Sequence, residues 1–170
     1  MNNQEKNSYV RKQILDTLLK MMNEQEFDTI AISALTDKAG VGRASFYRNF
    51  TSKEDVLHQE ADRLNNKWAK EWKELEPAQP NDFFISLLNF YKDHSDFYLL
   101  LYKAGLTDII LNTILKSAEI TPELPNAVAY LKSAMAYMIY GWVIEWIHRG
   151  MQESGTELAK MIEESQQNNK

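Results

Sequence analysis

Residues 31–50, AISALTDKAGVGRASFYRNF, decide the fold. They read as two short helical pieces, 32–39 and 43–49, separated by Gly40-Val41-Gly42. Two short helices that cross steeply at a tight turn make a helix-turn-helix, whose second helix can enter a DNA major groove. The residue types suit that geometry. Ala39 is small enough for close helix approach. Gly40 suits a left-handed backbone at the end of the first helix. Val41 can plug the space between the helices, and Gly42 is an acceptable though weak N-cap. Leu35, Phe46 and Phe50 can form a small core above Ile14 and Leu18 of an opening helix.

This arrangement leaves Arg43, Ala44, Ser45, Tyr47, Arg48 and Asn49 on the outer side of the second helix. Arg43 stands at its N-terminal end, where a guanidinium can bond O6 and N7 of guanine together. Ser45 and Tyr47 can donate hydroxyls to phosphate. Lys53, at the start of the next helix, suits a phosphate as well. The chain carries a formal net charge of -5, but the distribution matters more than the sum. Lys38, Arg43, Arg48 and Lys53 have no acid between them, and Lys6, Arg11 and Lys12 lie near the start. Acids concentrate later, at Glu71, Glu74, Glu76, Glu163 and Glu164. A solvated helical corner would carry the same residues, so the motif alone leaves both readings open.

Outward from this core the pattern is helical throughout. Val10, Ile14, Leu18 and Met21 define an amphipathic helix over 7–23. Ser52 caps a long helix to about residue 75, with Asp55 completing a short capping box. Pro77 and Pro80 stop it. A helix around Phe83–Tyr91 follows, then a short one capped by Asp96, then 107–115. Pro122 and Pro125 mark a loop before a long helix over 127–151. Ser154 opens the last helix with a capping box to Glu157. No segment alternates with period two, so the fold class is all-α, with about nine helices.

The 170 residues are 44% hydrophobic and 25% charged, ordinary for a folded protein with its own core. No cysteine is present, which excludes disulfides and thiolate sites. No run approaches the roughly 18 apolar residues of a membrane span, and a cytoplasmic protein is expected. His58, His94 and His148 are far apart. Asp93-His94-Ser95-Asp96 reads as a solvated turn rather than a metal corner. There is no Gly-rich phosphate loop, no GxSxG and no convergent acid–base set, so the chain is read as neither an enzyme nor a cofactor or metal protein.

The long helix over 127–151 carries two apolar stripes. One is Val128, Leu131, Met135, Met138 and Trp142; the other is Tyr130, Ala134, Tyr137, Gly141 and Ile144. A helix apolar nearly all round needs cover, and a second copy in an isologous homodimer supplies it. Ala134, Gly141, Ile144 and His148, with Leu158, Met161 and Ile162 of the last helix, are the candidate interface. Trp68, Trp72, Phe90, Tyr91, Tyr98, Tyr102, Tyr137 and Met138 are candidates for a pocket taking a small apolar or aromatic ligand. Plain core packing explains each of these aromatics singly.

The stretch FDTIAISALTDKAGVGRASFYRNFTSKEDVL resembles the signature of TetR-family regulators. The matching elements are Phe27-Asp28, residues 30–32, Ala39-Gly40-Val41, Phe46-Tyr47, Phe50 and Ser52-Lys53-Glu54. The segment YGWVIEWIHRGMQES is a looser match to a C-terminal pattern of the same regulators. The resemblance implies a helix-turn-helix domain over 1–52 and a helical ligand-sensing and dimerisation domain over 53–170. It implies that Arg43, Ala44, Ser45 and Asn49 face the groove, that Tyr47 and Lys53 bind phosphate, and that Ser33 touches DNA. It further implies a dimeric repressor of a pseudo-palindromic operator, released by a ligand. Two departures stand out: Ala31 replaces a capping threonine, and Gly42 replaces serine or asparagine. The missing oxygen cap weakens the local helix by about 1 kcal/mol. An adaptor governed by a protein partner, or a helical enzyme, are the alternative classes.

Overall fold

A computed structural model describes residues 3–75 and 80–167. Nine α-helices and one 3-10 turn make up the described residues, and no strand occurs among them. The helices are α1 (Asn3–Glu24), α2 (Ile32–Lys38), α3 (Arg43–Asn49), α4 (Lys53–Glu74), α5 (Pro80–Asp93), α6 (Ser95–Lys103), α7 (Thr107–Ser117), α8 (Asn126–His148) and α9 (Gly155–Gln167). The expected stop at Pro77 lies outside the described residues. Pro80 instead opens α5, a position where its missing N–H leaves no bond unmade.

The chain forms two compact units, Met1–Arg63 and Leu64–Lys170. They divide inside α4, whereas the sequence reading divides at 52/53, where that helix begins. In the first unit Ile14, Leu18, Leu35, Phe46 and Leu57 are fully buried, with Phe27, Ile30, Phe50 and Val56 beside them. In the second, Leu88, Tyr91, Tyr98, Leu101, Ile109, Ile110, Val143 and Ile147 form the core.

Local chemistry accounts for the element ends. Gly40 has φ +65°, and the Val41 N–H donates to the Thr36 carbonyl at 2.9 Å, closing α2. Ser52 Oγ accepts from the Asp55 N–H at 3.1 Å. The reciprocal bond of the expected box goes one residue earlier, because Asp55 Oδ2 accepts from the Thr51 N–H at 2.8 Å. Ser154 and Glu157 make the full box: the Ser154 N–H donates to Glu157 Oε2 at 2.8 Å, and the Glu157 N–H to Ser154 Oγ at 3.2 Å. Asp96 sits inside the first turn of α6 rather than at its cap, which is His94. α8 ends three residues early, at His148, and Gly150 and Met151 just beyond it both have positive φ.

By length and composition alone, α8 is apolar enough to cross a membrane, a test that apolar packing helices of other proteins also pass.

Candidate DNA-binding surface

α3 is fixed from below. Phe46 is fully buried, Phe50 nearly so, and their rings meet at 5.8 Å. A seven-residue helix with Phe46 pointing inward turns positions 44, 47 and 48 outward, while Arg43 is open as its first residue. Arg43, Ala44, Tyr47 and Arg48 are indeed exposed, and Tyr47 keeps 59% of its surface open to solvent. Its ring stands edge-on against Phe46 at 5.3 Å. Ser45 and Asn49 are half-buried on one flank. Arg48 Nη2 donates to Ser45 Oγ at 2.7 Å, and Asn49 Nδ2 donates to the Ser45 carbonyl at 2.8 Å. Neither Ala31 nor Gly42 makes a side-chain cap bond, so the amides at both helix starts take no bond from their cap side chains.

Ser33 is half-buried in the first turn of α2, and its carbonyl accepts from Thr36 Oγ1 at 3.0 Å. Lys53 is held inward: Nζ donates to the Phe27 carbonyl at 2.6 Å and lies 4.3 Å from the Phe27 ring centre. An ammonium has three donors, so this bond leaves two for another acceptor.

One residue of the site went unread in the sequence. Gln59, on α4, donates to the Asn49 carbonyl at 3.2 Å and to Asp55 Oδ2 at 3.1 Å, and accepts from Arg11. It therefore ties α1 and α4 to the last carbonyl of α3. Only its place one turn after Asp55 hinted at this. Burial pushes the Asp55 carboxyl up, but bonds from the Thr51 N–H, the Gln59 amide and the Thr51 hydroxyl outweigh it, and its pKa lies below the ordinary aspartate value.

The second unit separates the expected pocket residues. Trp68, Trp72 and Phe90 line an open groove of about 730 Å³ between α4 and α5, with Lys67, Glu71 and Asp93 at its rim. Trp68 Nε1 donates to Ser86 Oγ at 2.9 Å. Tyr91 and Tyr98 are core residues with ring centres 4.6 Å apart, and burial pushes the Tyr91 phenol well above its usual range. Tyr102 is half-buried and stacks on His148 at 5.7 Å. Tyr137 and Met138 lie exposed on α8. The expected interface residues divide similarly: Ala134, Gly141, His148 and Met161 are exposed, while Ile144, Leu158 and Ile162 are half-buried.

Residues 14–59 match the sequence profile described as bacterial regulatory proteins, tetR family. No curated protein sequence matches the chain. Among solved structures, Lin0861 from Listeria innocua superposes with a TM-score of 0.81 at 15% identity, covering 100% of this chain and 96% of its own. The fatty acid degradation regulator FadR from Bacillus halodurans gives 0.57 at 16%, covering 90% and 92%. A tetR-family transcriptional regulator from Streptomyces coelicolor gives 0.52 at 17%, covering 95% and 78%. At such identities the fold is what is shared. The profile match spans the helix-turn-helix with parts of α1 and α4, so over residues 14–59 the chain is similar to the DNA-binding segment of tetR-family bacterial regulatory proteins.

Proposed function

We propose that the chain is a DNA-binding transcription repressor that acts as a homodimer on a pseudo-palindromic operator in the cytoplasm. The observation that carries this is the outer side of α3, where Arg43, Ala44, Tyr47 and Arg48 are exposed above buried Phe46 and Phe50. Arg43 reads a base edge and Ala44 meets the groove floor beside it. Ser45 and Asn49 line its flank. Tyr47, Arg48, Lys53 and Ser33 hold phosphates. Two copies joined through the exposed face of α8 put two such helices into successive major grooves. That face meets a second copy rather than lipid.

A small apolar or aromatic compound seated against Trp68, Trp72 and Phe90 releases the DNA, by binding the DNA-incompetent state more tightly. The groove is open, which also favours a second reading in which a protein segment occupies it. The chain acts by binding, with no reaction of its own.

The test is selection of random duplex DNA by the purified protein, followed by sequencing. Enrichment of a two-fold-related motif, with half-sites about one helical turn apart, is the expected result. Recovery of unrelated sequences by well-folded protein would remove the sequence-reading role from α3.

A further inference from the structure

The flank of α3 that bears Ser45, Arg48 and Asn49 does not end at the helix. The first turns of α1 stand across from it, and together they enclose an open groove of about 610 Å³, with Lys6, Tyr9 and Val10 forming the opposite wall. Lys6 and Arg48 are cations, and no carboxylate lines the groove among the described residues. On a chain with net charge -5, such a groove is a local departure, not a sample of the average.

Tyr9 sharpens the point. It keeps 58% of its surface exposed on a helix whose inward face is Ile14, Leu18 and Met21. It therefore contributes little to the core, yet lines the groove with a side chain that carries a hydroxyl. On the facing wall, Arg48 is braced by Ser45 and still has N–H groups to donate. Two cations, a phenol and two amides around a polar trench fit the oxyanions of a sugar–phosphate strand. They do not fit a base edge, which needs a planar pair of donors and acceptors held in one direction.

We propose that α1 is part of the DNA-binding surface, with Lys6 and Tyr9 forming one wall of a backbone-binding groove whose other wall is Arg48. When the outer side of α3 lies in the major groove, its flank meets the sugar–phosphate strand bordering that groove. Lys6 and Tyr9 clasp this strand from the far side. The inference rests on the reading of α3 as the DNA-facing helix. It adds to it a contact that carries affinity and no sequence preference.

The experiment measures binding of the selected duplex and of an unrelated duplex by fluorescence anisotropy across a salt titration. It uses the full chain and its Lys6→Ala, Tyr9→Phe and Lys12→Ala variants. All three positions are exposed, and circular dichroism confirms that each variant is folded. Lys6→Ala should weaken both duplexes by about three- to ten-fold and lower the magnitude of the log–log salt slope by about 0.9, the value for one lost phosphate contact. Tyr9→Phe should weaken both by roughly two- to five-fold and leave the slope unchanged, because it removes a neutral donor. Lys12→Ala removes the same charge from α1 at a residue that pairs with Asp16 outside the groove, and should do neither.

Wild-type protein that binds DNA while Lys6→Ala and Tyr9→Phe bind equally well would overturn this inference alone. A slope change in Lys12→Ala equal to that in Lys6→Ala would overturn it too, since diffuse charge and not the groove would then be responsible. Wild-type protein that binds no duplex would sink both this inference and the reading of α3.

Discussion

Phe46 and Tyr47 are neighbours in the chain and opposites in role. One is fully buried and the other more than half exposed, although both are large aromatics. The helix period separates them: a turn of about 100° per residue sends one into the core and the next toward solvent. The phenol of Tyr47 thereby rests against the core without being shielded. Tyr47→Phe should weaken binding to all duplexes alike, whereas Arg43→Ala should relax preference at a single base position at a cost of about 1–3 kcal/mol. Selection repeated with the Arg43→Ala protein checks this; uniform loss at every site would deny Arg43 a base. Asp55 supports a prediction about pH. Its folded pKa is depressed, so the stability it contributes is present above the ordinary aspartate pKa and is lost as pH falls through the folded value. The wild-type melting temperature should therefore drop more steeply below about pH 4 than that of Asp55→Asn. Parallel curves in a pH series would show that the bonds from Thr51 and Gln59 do not stabilise the start of α4.

At the scale of elements, one close helix approach was not legible: a Cβ on Gly155 would stand 2.5 Å from the Asn89 backbone nitrogen and 2.7 Å from the Leu88 carbonyl carbon. The first turn of α9 thus lies directly on the backbone of α5. Gly155→Ala must push those helices apart and should destabilise the fold by about 1–3 kcal/mol, measured by urea unfolding. An unchanged midpoint would mean that α9 is not docked on α5 in solution. Local signals, by contrast, were legible: the Ser154–Glu157 box, the left-handed Gly40 and the inward Leu35, Phe46 and Phe50 each depend on residues close in the chain. Which helix α9 rests on depends on partners about 65 residues away, and no periodicity encodes that. The expected pocket residues divide for the same reason. Trp68, Trp72 and Phe90 converge because α4 and α5 are adjacent, while Tyr137 and Met138, equally aromatic or soft, sit on an open face. Lys53 shows a further limit, since its charge was plain but its bond to the Phe27 carbonyl was not.

For the whole molecule, the open question of energy is α8. Tyr130 is 72% exposed and Leu131 62%, and Val128, Met135, Tyr137 and Met138 add to the same helix. An apolar surface of this extent on one element is unusual for a protein that stays alone in water. Ala134, Met138 and Gly141 fall on one side of α8 at spacings of four and three residues, and the space above Gly141 is empty enough to admit another backbone. In an isologous dimer the same residue approaches its own copy or its near neighbour across the two-fold axis. Met138→Glu therefore places two like charges in a dry interface, where such a juxtaposition costs several kcal/mol. The same change on a single chain leaves a glutamate at a site that is 45% exposed, which the fold tolerates. Wild-type protein should hold a dimer mass on dilution into the nanomolar range, and Met138→Glu should fall to a monomer mass at least a hundred-fold sooner, with its helicity retained. DNA binding follows from that. A duplex with two half-sites gains from the second reading helix only while the copies stay joined, since linkage makes the second contact intramolecular. Met138→Glu should then bind this duplex no better than a single half-site. If the variant still prefers the paired site as strongly as wild type does, the copies are joined through some other face, and the apolar side of α8 must be covered by a different partner.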